Sequence, residues 1–203
     1  LEGVTFAIRD CRDALASTGT RFDSLLAVGG GSSIDAAKVI AARATNDKPV
    51  SRMEGFFRIF TAIAPLYAIP TTAGTGSEVT IAAVVSDPAN KKKMSVIDPK
   101  LMPHLAALDG ALMTGLPAPI TAATGMDALT HAIEGITATA SEPIADALCL
   151  HAIRFIMKYL PAAVKEPENV EARGRMLIAS TMAGMGFGNS MTGGVHATAH
   201  ALG

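Results

Sequence analysis

The sequence predicts an α/β unit with a mostly parallel sheet over residues 1–113, followed by an all-helical unit over residues 114–203. Three observations predict it. Strand and helix patterns alternate in the first half, strand patterns vanish from Leu116 onward, and two short apolar runs end in glycine-rich loops. Half of the 203 residues are hydrophobic (49%), which excludes a disordered or collagen-like chain. With 17 basic and 18 acidic residues the net charge is −1, and Lys91-Lys92-Lys93 is the only basic run, so no nucleic-acid surface is expected.

Val4 to Ala16 carries Val4, Ala7, Ile8, Cys11 and Leu15 at helical spacing, and Gly19 is a natural stop. Ser24 to Val28 is a short apolar run that suits a buried parallel strand. Ser32 to Ala42 then reads as a helix, with Ile34, Ala37, Lys38 and Ala41 recurring at helical intervals. Leu66–Ile69, Ile81–Val85 and Met94–Ile97 are the next strands, the last two flanking a turn at Asp87-Pro88-Ala89-Asn90. A turn-rich loop near Asp109 to Gly115 marks the boundary. Helices are expected at Ala118–Thr124, Met126–Ile136, Pro143–Ala162, Val170–Met185 and Thr192–Leu202. No stretch reaches the uninterrupted apolar length that spans a bilayer, so no membrane partner is expected. Two cysteines, Cys11 and Cys149, cannot form a disulfide framework, and a reducing cytoplasm is the default compartment. The chain opens on Leu1 and reads as an internal segment of a longer protein.

The loop Gly29-Gly30-Gly31-Ser32-Ser33-Ile34-Asp35 joins a strand to a helix. Glycines let the backbone approach a ligand, and a helix N-terminus offers free N–H groups to a phosphate. Ser32 and Asp35 have capping-box spacing. The pattern is neither GxGxxG nor a Walker sequence, and a ligand-free turn explains this loop equally well. A second loop, TTAGTGSE (Thr71 to Glu78), also follows an apolar strand. Two such loops suit a crevice at the carboxyl edge of an α/β sheet, where ligands bind.

In the helical half, Asp127 and His131 stand four residues apart, and so do His196 and His200. That spacing puts two side chains on one helix face, as a metal clamp requires. A helix-terminal Asp and an isolated core histidine would give the first pair as readily. One carboxylate with imidazoles suits Fe²⁺ or Zn²⁺ better than Mg²⁺ or Ca²⁺. His104 and His151 read as structural or surface residues. The ten methionines read as core filler, since Met176, Met182 and Met185 follow helical spacing. A cofactor on the α/β half facing a Lewis-acidic metal would allow hydride transfer from an alcohol.

The motifs VGGGSSIDAAK, IPTTAGTGSEVT, ATGMDALTHAIEG, AGMGFGNS and GGVHATAHALG occur in this order from end to end. This set resembles the iron-containing, NAD-dependent alcohol dehydrogenase family, in particular its lactaldehyde reductase (propanediol oxidoreductase) branch. The resemblance implies an N-terminal α/β dinucleotide-binding domain, a helical metal domain, and NAD and iron in the cleft between them. Gly30, Gly31, Ser32 and Asp35 match the pyrophosphate loop and Thr71 and Thr72 the second cofactor loop. Lys93 and Leu112 fall at further cofactor positions. Asp127, His131 and His196 match three of four metal ligands, with Fe²⁺ expected and Zn²⁺ possible. The fourth ligand is expected in a Pro-His-Gly segment beyond His200, so residues 1–203 alone are expected to bind metal weakly and to be inactive. His200 matches a histidine near the nicotinamide and is the candidate proton relay. Phe187, Asn189 and Met191 are candidate pocket walls. The implied substrates are small primary alcohols or diols and their aldehydes, and the implied assembly is a homodimer or larger. NAD over NADP is implied by the branch alone. The alternatives are a dehydroquinate synthase-like enzyme, a glycerol dehydrogenase-like zinc relative, and a truncated non-catalytic segment.

Overall fold

The computed structural model describes residues 23–87 and 92–202. The helix expected over 4–16, with Cys11, and the turn residues 88–90 lie outside them. The α/β half opens with β1 (Leu25–Gly29) and α1 (Gly31–Thr45), then β2 (Gly55–Phe56) and β3 (Leu66–Pro70). It closes with β4 (Ala82–Asp87), β5 (Lys92–Ile97) and β6 (Leu105–Ala106). The helical half consists of α2 (Ala118–Thr137), α3 (Pro143–Lys165), α4 (Val170–Ser190) and α5 (Gly194–Leu202).

The expected sheet is divided in two. β1, β3 and β6 form a parallel sheet in the order β1-β3-β6, with Leu25 opposite Leu66 and Gly29 opposite Pro70. The second sheet, β2-β5-β4, pairs β2 with β5 in parallel but β4 with β5 antiparallel. Among the described residues, three of the four strand pairings are therefore parallel. β2 and β6 have two residues each, too short to leave a periodic signal in the sequence.

α1 lies against both sheets. Ile34 and Ala37 pack on Ala27, Leu66 and Ala68 of the first, while Val39 and Ala42 pack on Ala83, Val85, Met94 and Val96 of the second. A helix buried on two flanks needs small residues, which accounts for Ala36, Ala37, Ala41 and Ala42. Lys38, fully buried, is satisfied in full: its ammonium donates to the Thr80 carbonyl at 2.8 Å and the Ala82 carbonyl at 2.7 Å, with Asp35 at 3.9 Å. Burial pushes its pKa down to about 8, against the opposing pull of Asp35 and Glu78.

α2, α3 and α4 pack pairwise into a bundle. α2 runs unbroken through Gly125, where the sequence predicts a break between two helices. A Cβ at Gly125 would run into the Leu160 side chain of α3, so the glycine serves close helix packing instead of a turn. Glu142 caps α3 by accepting from the Ile144 and Ala145 amides, and Asn169 caps α4 through the Ala172 amide. α3 is long and apolar enough by length and composition to cross a membrane, which the sequence reading did not expect. Arg154 and Lys158 interrupt its apolar length, however, and Cys149, Ala152 and Ile156 are buried in the bundle. Of the methionines read as core, Met176 is buried, Met182 is partly buried and Met185 is exposed.

The two halves meet at the Thr71–Glu78 loop. Gly76 adopts the left-handed region (φ 62°), and a Cβ there would lie 2.7 Å from the Gly184 Cα of α4. Glu78 accepts from the Thr181 hydroxyl of α4 at 2.7 Å. Replacing Lys38 by Met should cost about 3–5 kcal/mol in denaturant unfolding, because Asp35 and two carbonyls lose their buried partner. A loss under about 1 kcal/mol would show that the ammonium is not what satisfies them.

Candidate functional site

β1 delivers the first loop. Gly30 is the N-cap of α1 in extended conformation, and its carbonyl accepts from the Ser33 and Ile34 amides at 3.0 and 3.1 Å. No side chain caps this helix, so the capping box expected from Ser32 and Asp35 does not form. Ser32 is exposed, whereas Asp35 turns inward and accepts from the Ser77 hydroxyl at 2.5 Å and the Val84 amide at 3.0 Å. Burial outweighs these donors and Lys38 and raises its carboxyl pKa. The Asp35 carboxylate thus ties α1 to the second loop and to β4.

β3 delivers the second loop next to the first. The Thr71 amide donates to the Gly29 carbonyl at 2.9 Å, continuing the β1-β3 ladder into the loops. Thr72 packs against Gly30, where an added Cβ would sit 3.1 Å from its Oγ1 and Cγ2, and Thr75 packs against Gly31. Gly74 reaches across to the helical half: its carbonyl lies 3.3 Å from Nδ1 of His131.

Asp127 and His131 come from α2, and His196 comes from α5. One ligand atom from each lies within 4.8 Å of the others. Nε2 of His196 is 3.5 Å from Asp127 Oδ1, and Nδ1 of His131 is 3.9 Å from Asp127 Oδ2. The His131 ring is sandwiched between Phe187, with centroids 4.2 Å apart, and His196 at 4.1 Å. His131 is buried while Asp127 and His196 are half-buried, so the cluster has a closed floor and an open side. Burial pushes the pKa of His131 down to about 4. The Asp127 hydrogen bond, together with Glu134, raises that of His196 despite partial burial.

The donor set fits a divalent transition metal. A carbonyl can only accept, so the contact with Gly74 assigns the proton of neutral His131 to Nδ1 and leaves Nε2 with a lone pair. One carboxylate and two imidazoles form the borderline set that accepts Fe²⁺ or Zn²⁺.

The remaining expected positions are Lys93, Leu112 and His200, with His104 and His151 expected to be structural or surface residues. Lys93 is exposed on β5, in register with Ser86 of β4. Leu112 is 48% exposed in the short 3-10 turn Gly110–Met113. His200 lies in α5, and its side chain is outside the described residues. His104 and His151 are exposed beside Tyr67 and Phe155. Two participants escaped the sequence reading. Gly74 acts through its carbonyl, which no residue type reveals. Glu134 was readable in principle, because residues 127, 131 and 134 follow the i, i+4, i+7 spacing of one helix face.

Where the glycine-rich strand ends of the α/β half abut the helical half, Asp127, His131 and His196 bring ligand atoms close enough together to hold one metal ion. Residues 7–110 match the iron-containing alcohol dehydrogenase family, and residues 121–203 match that family's C-terminal part. The chain belongs to the iron-containing alcohol dehydrogenase family. It is 46% identical over 181 residues to the NAD-dependent methanol dehydrogenase of Bacillus methanolicus, covering 89% of this chain and 48% of that protein. It is 42% identical over 181 residues to the 1,3-propanediol dehydrogenase of Citrobacter freundii, covering 89% and 47%. Among solved structures it superposes on an alcohol dehydrogenase from Oenococcus oeni with a TM-score of 0.91 at 37% identity, covering 97% of this chain and 51% of that one. The chain spans about half the length of the curated relatives it matches. The dehydroquinate synthase-like alternative is not favoured by these relatives.

Metal-free protein should show a neutral His131 down to about pH 5, while His196 takes up its proton above the usual histidine range. Below pH 6.5 the unfolded chain protonates at His131 where the native state does not, so this histidine lowers stability as the pH falls towards 4. His196 has the opposite sign, adding stability below 6.5 that is lost as the pH rises through its raised pKa. Site-resolved imidazole ¹⁵N shifts separate the two. A His131 midpoint near 6.5 would contradict its burial.

Proposed function

We propose that the whole protein is a metal-dependent oxidoreductase that interconverts small primary alcohols or diols and their aldehydes, with NAD as the hydride carrier. One observation carries this reading. A single loop, Thr71–Glu78, touches the glycine turn of α1 at one end of its contacts and the His131 ring at the other. A cofactor laid over the first loop is therefore directed towards the Asp127, His131 and His196 cluster. The relatives named above, which act on methanol and 1,3-propanediol by their names, support the substrate class.

When bound at Asp127, His131 and His196, Fe²⁺ (or Zn²⁺) supplies Lewis-acid polarisation of a substrate oxygen, and NAD supplies the hydride acceptor. The residues of this chain do the placing. Gly30, Gly31 and Ser32 present the first amides of α1 to the pyrophosphate, where the positive end of the helix favours negative charge. Thr71 and Thr72 lie alongside as the second cofactor loop, and Asp35 holds that loop in place through Ser77. Lys93 and Leu112 serve the outer parts of the cofactor. Phe187 covers one face of His131 and keeps water from it, and with Asn189 and Met191 it shapes the pocket. His200 relays the proton of the alcohol to solvent. Residues 1–113 form the dinucleotide domain and residues 114–203 the metal domain of a cytoplasmic enzyme that works as a homodimer or larger assembly.

Substituting His131 by Ala in the whole protein should lower turnover with metal and NAD by on the order of 10³-fold, the worth of several kcal/mol of lost polarisation. NAD affinity, measured by fluorescence titration, should stay within about twofold because the cofactor loops do not depend on the imidazole for their fold. Normal turnover in that variant would remove His131 from the site.

A further inference from the structure

The face of the His196 ring edge turned away from Asp127 meets a second carboxylate, that of Glu134, which is only 5% exposed. Oε1 of Glu134 accepts from the Val195 amide at 2.7 Å and, at 3.4 Å, from the His196 amide, the first amides of α5. Oε2 contacts Nδ1 of His196. An added Cβ at Gly193 would come 3.1 Å from Oε1, so the chain entering α5 passes close over the carboxylate. A helix cap would explain the backbone bonds. It does not explain the oxygen on the imidazole. An ionised carboxylate has no proton to give, so Glu134 accepts from Nδ1–H both in the imidazolium that also donates to Asp127 and in the neutral ring, where Nε2 is left with the lone pair. Nε2 is the nitrogen 3.5 Å from Asp127 Oδ1.

We propose that Glu134 is a positioning residue of the metal site, fixing both the tautomer and the orientation of His196 while docking the start of α5. The proposal rests on the metal-site reading above. One carboxylate thereby acts on the two variables that decide whether His196 can serve, where its backbone lies and which nitrogen faces the cluster. It also balances charge: Asp127 and Glu134 together carry the two negative charges that neutralise a divalent cation. Asp127, His131 and Glu134 project from one face of α2, so this helix supplies two ligands and the orienter of the third.

Co²⁺ is the probe, bound to the whole protein and to its Glu134→Ala, Glu134→Gln and His131→Ala variants. Affinity is read by chelator competition and geometry by the visible d–d spectrum. Glu134→Ala should weaken Co²⁺ binding by about 10–100-fold and alter the spectrum. Glu134→Gln keeps an oxygen that can accept from Nδ1 and should fall between that variant and the parent. His131→Ala should lose the metal. Unchanged affinity and spectrum in both Glu134 variants, with binding lost in His131→Ala, overturns the positioning role and leaves the metal site standing. Co²⁺ binding indifferent to His131→Ala overturns the metal-site reading itself. A lower melting temperature of the metal-free Glu134 variants with unchanged Co²⁺ affinity reduces Glu134 to a cap and also overturns the proposal. If Glu134→Ala does not fold, the near-isosteric Glu134→Gln decides alone, through its affinity and spectrum.

Discussion

The seat of the Thr71–Glu78 loop governs the arrangement of everything around it. This loop has no regular structure of its own beyond one 3-10 turn, yet it is held on three sides. The Asp35 carboxylate accepts from its Ser77 hydroxyl, the Thr181 hydroxyl of α4 donates to its Glu78, and Gly76 rests on Gly184. Each of these contacts needs a small residue or a buried polar partner, so the loop cannot shift without leaving polar groups unpaired. With the loop fixed, the Gly74 carbonyl stands where it orients His131, and Thr72 and Thr75 stand where they line the glycine turn.

A buried polar chain underlies that seat. Lys38 bridges the Thr80 and Ala82 carbonyls, Asp35 lies within 3.9 Å of its ammonium, and Asp35 in turn holds Ser77. α1 therefore has two tasks along its length. Its first turn packs its glycines against Thr72 and Thr75, and its next two turns carry the charges that lock the neighbouring loop and β4. This explains why Asp35, which the motif places in the phosphate loop, spends its carboxylate on protein groups.

The centre at the seam is asymmetric in its environment. His131 is buried between Phe187 and His196 and is kept neutral by desolvation. His196 and Asp127 are nearer to solvent. The buried side supplies a rigid floor, and the open side leaves room for further groups to approach. Each imidazole also meets a polar group outside the cluster: Nδ1 of His131, the nitrogen nearer Asp127, lies against the Gly74 carbonyl, and Nδ1 of His196 lies against the Glu134 carboxylate.

Much of this was legible in the order of residues. Apolar runs ending in glycines marked β1 and β3, and four-residue spacings put Asp127 with His131 on one helix face, because both patterns are local and repeat with the period of the backbone. Three things were not local and came only with folding. Gly125 signals a break by composition, but it sits inside a continuous helix because Leu160 of α3 needs the space. The partition into two sheets depends on β2 and β6, two-residue strands that exist only because a neighbour offers them hydrogen bonds. The meeting of α2 and α5 at Glu134 joins residues 62 positions apart, and no periodicity within either helix encodes which partner lies across the gap. Patterns along the chain fix which face of an element is apolar or ligating. Which faces meet is settled by side-chain volume and by the pairing of buried polar groups, and both are properties of the packed molecule.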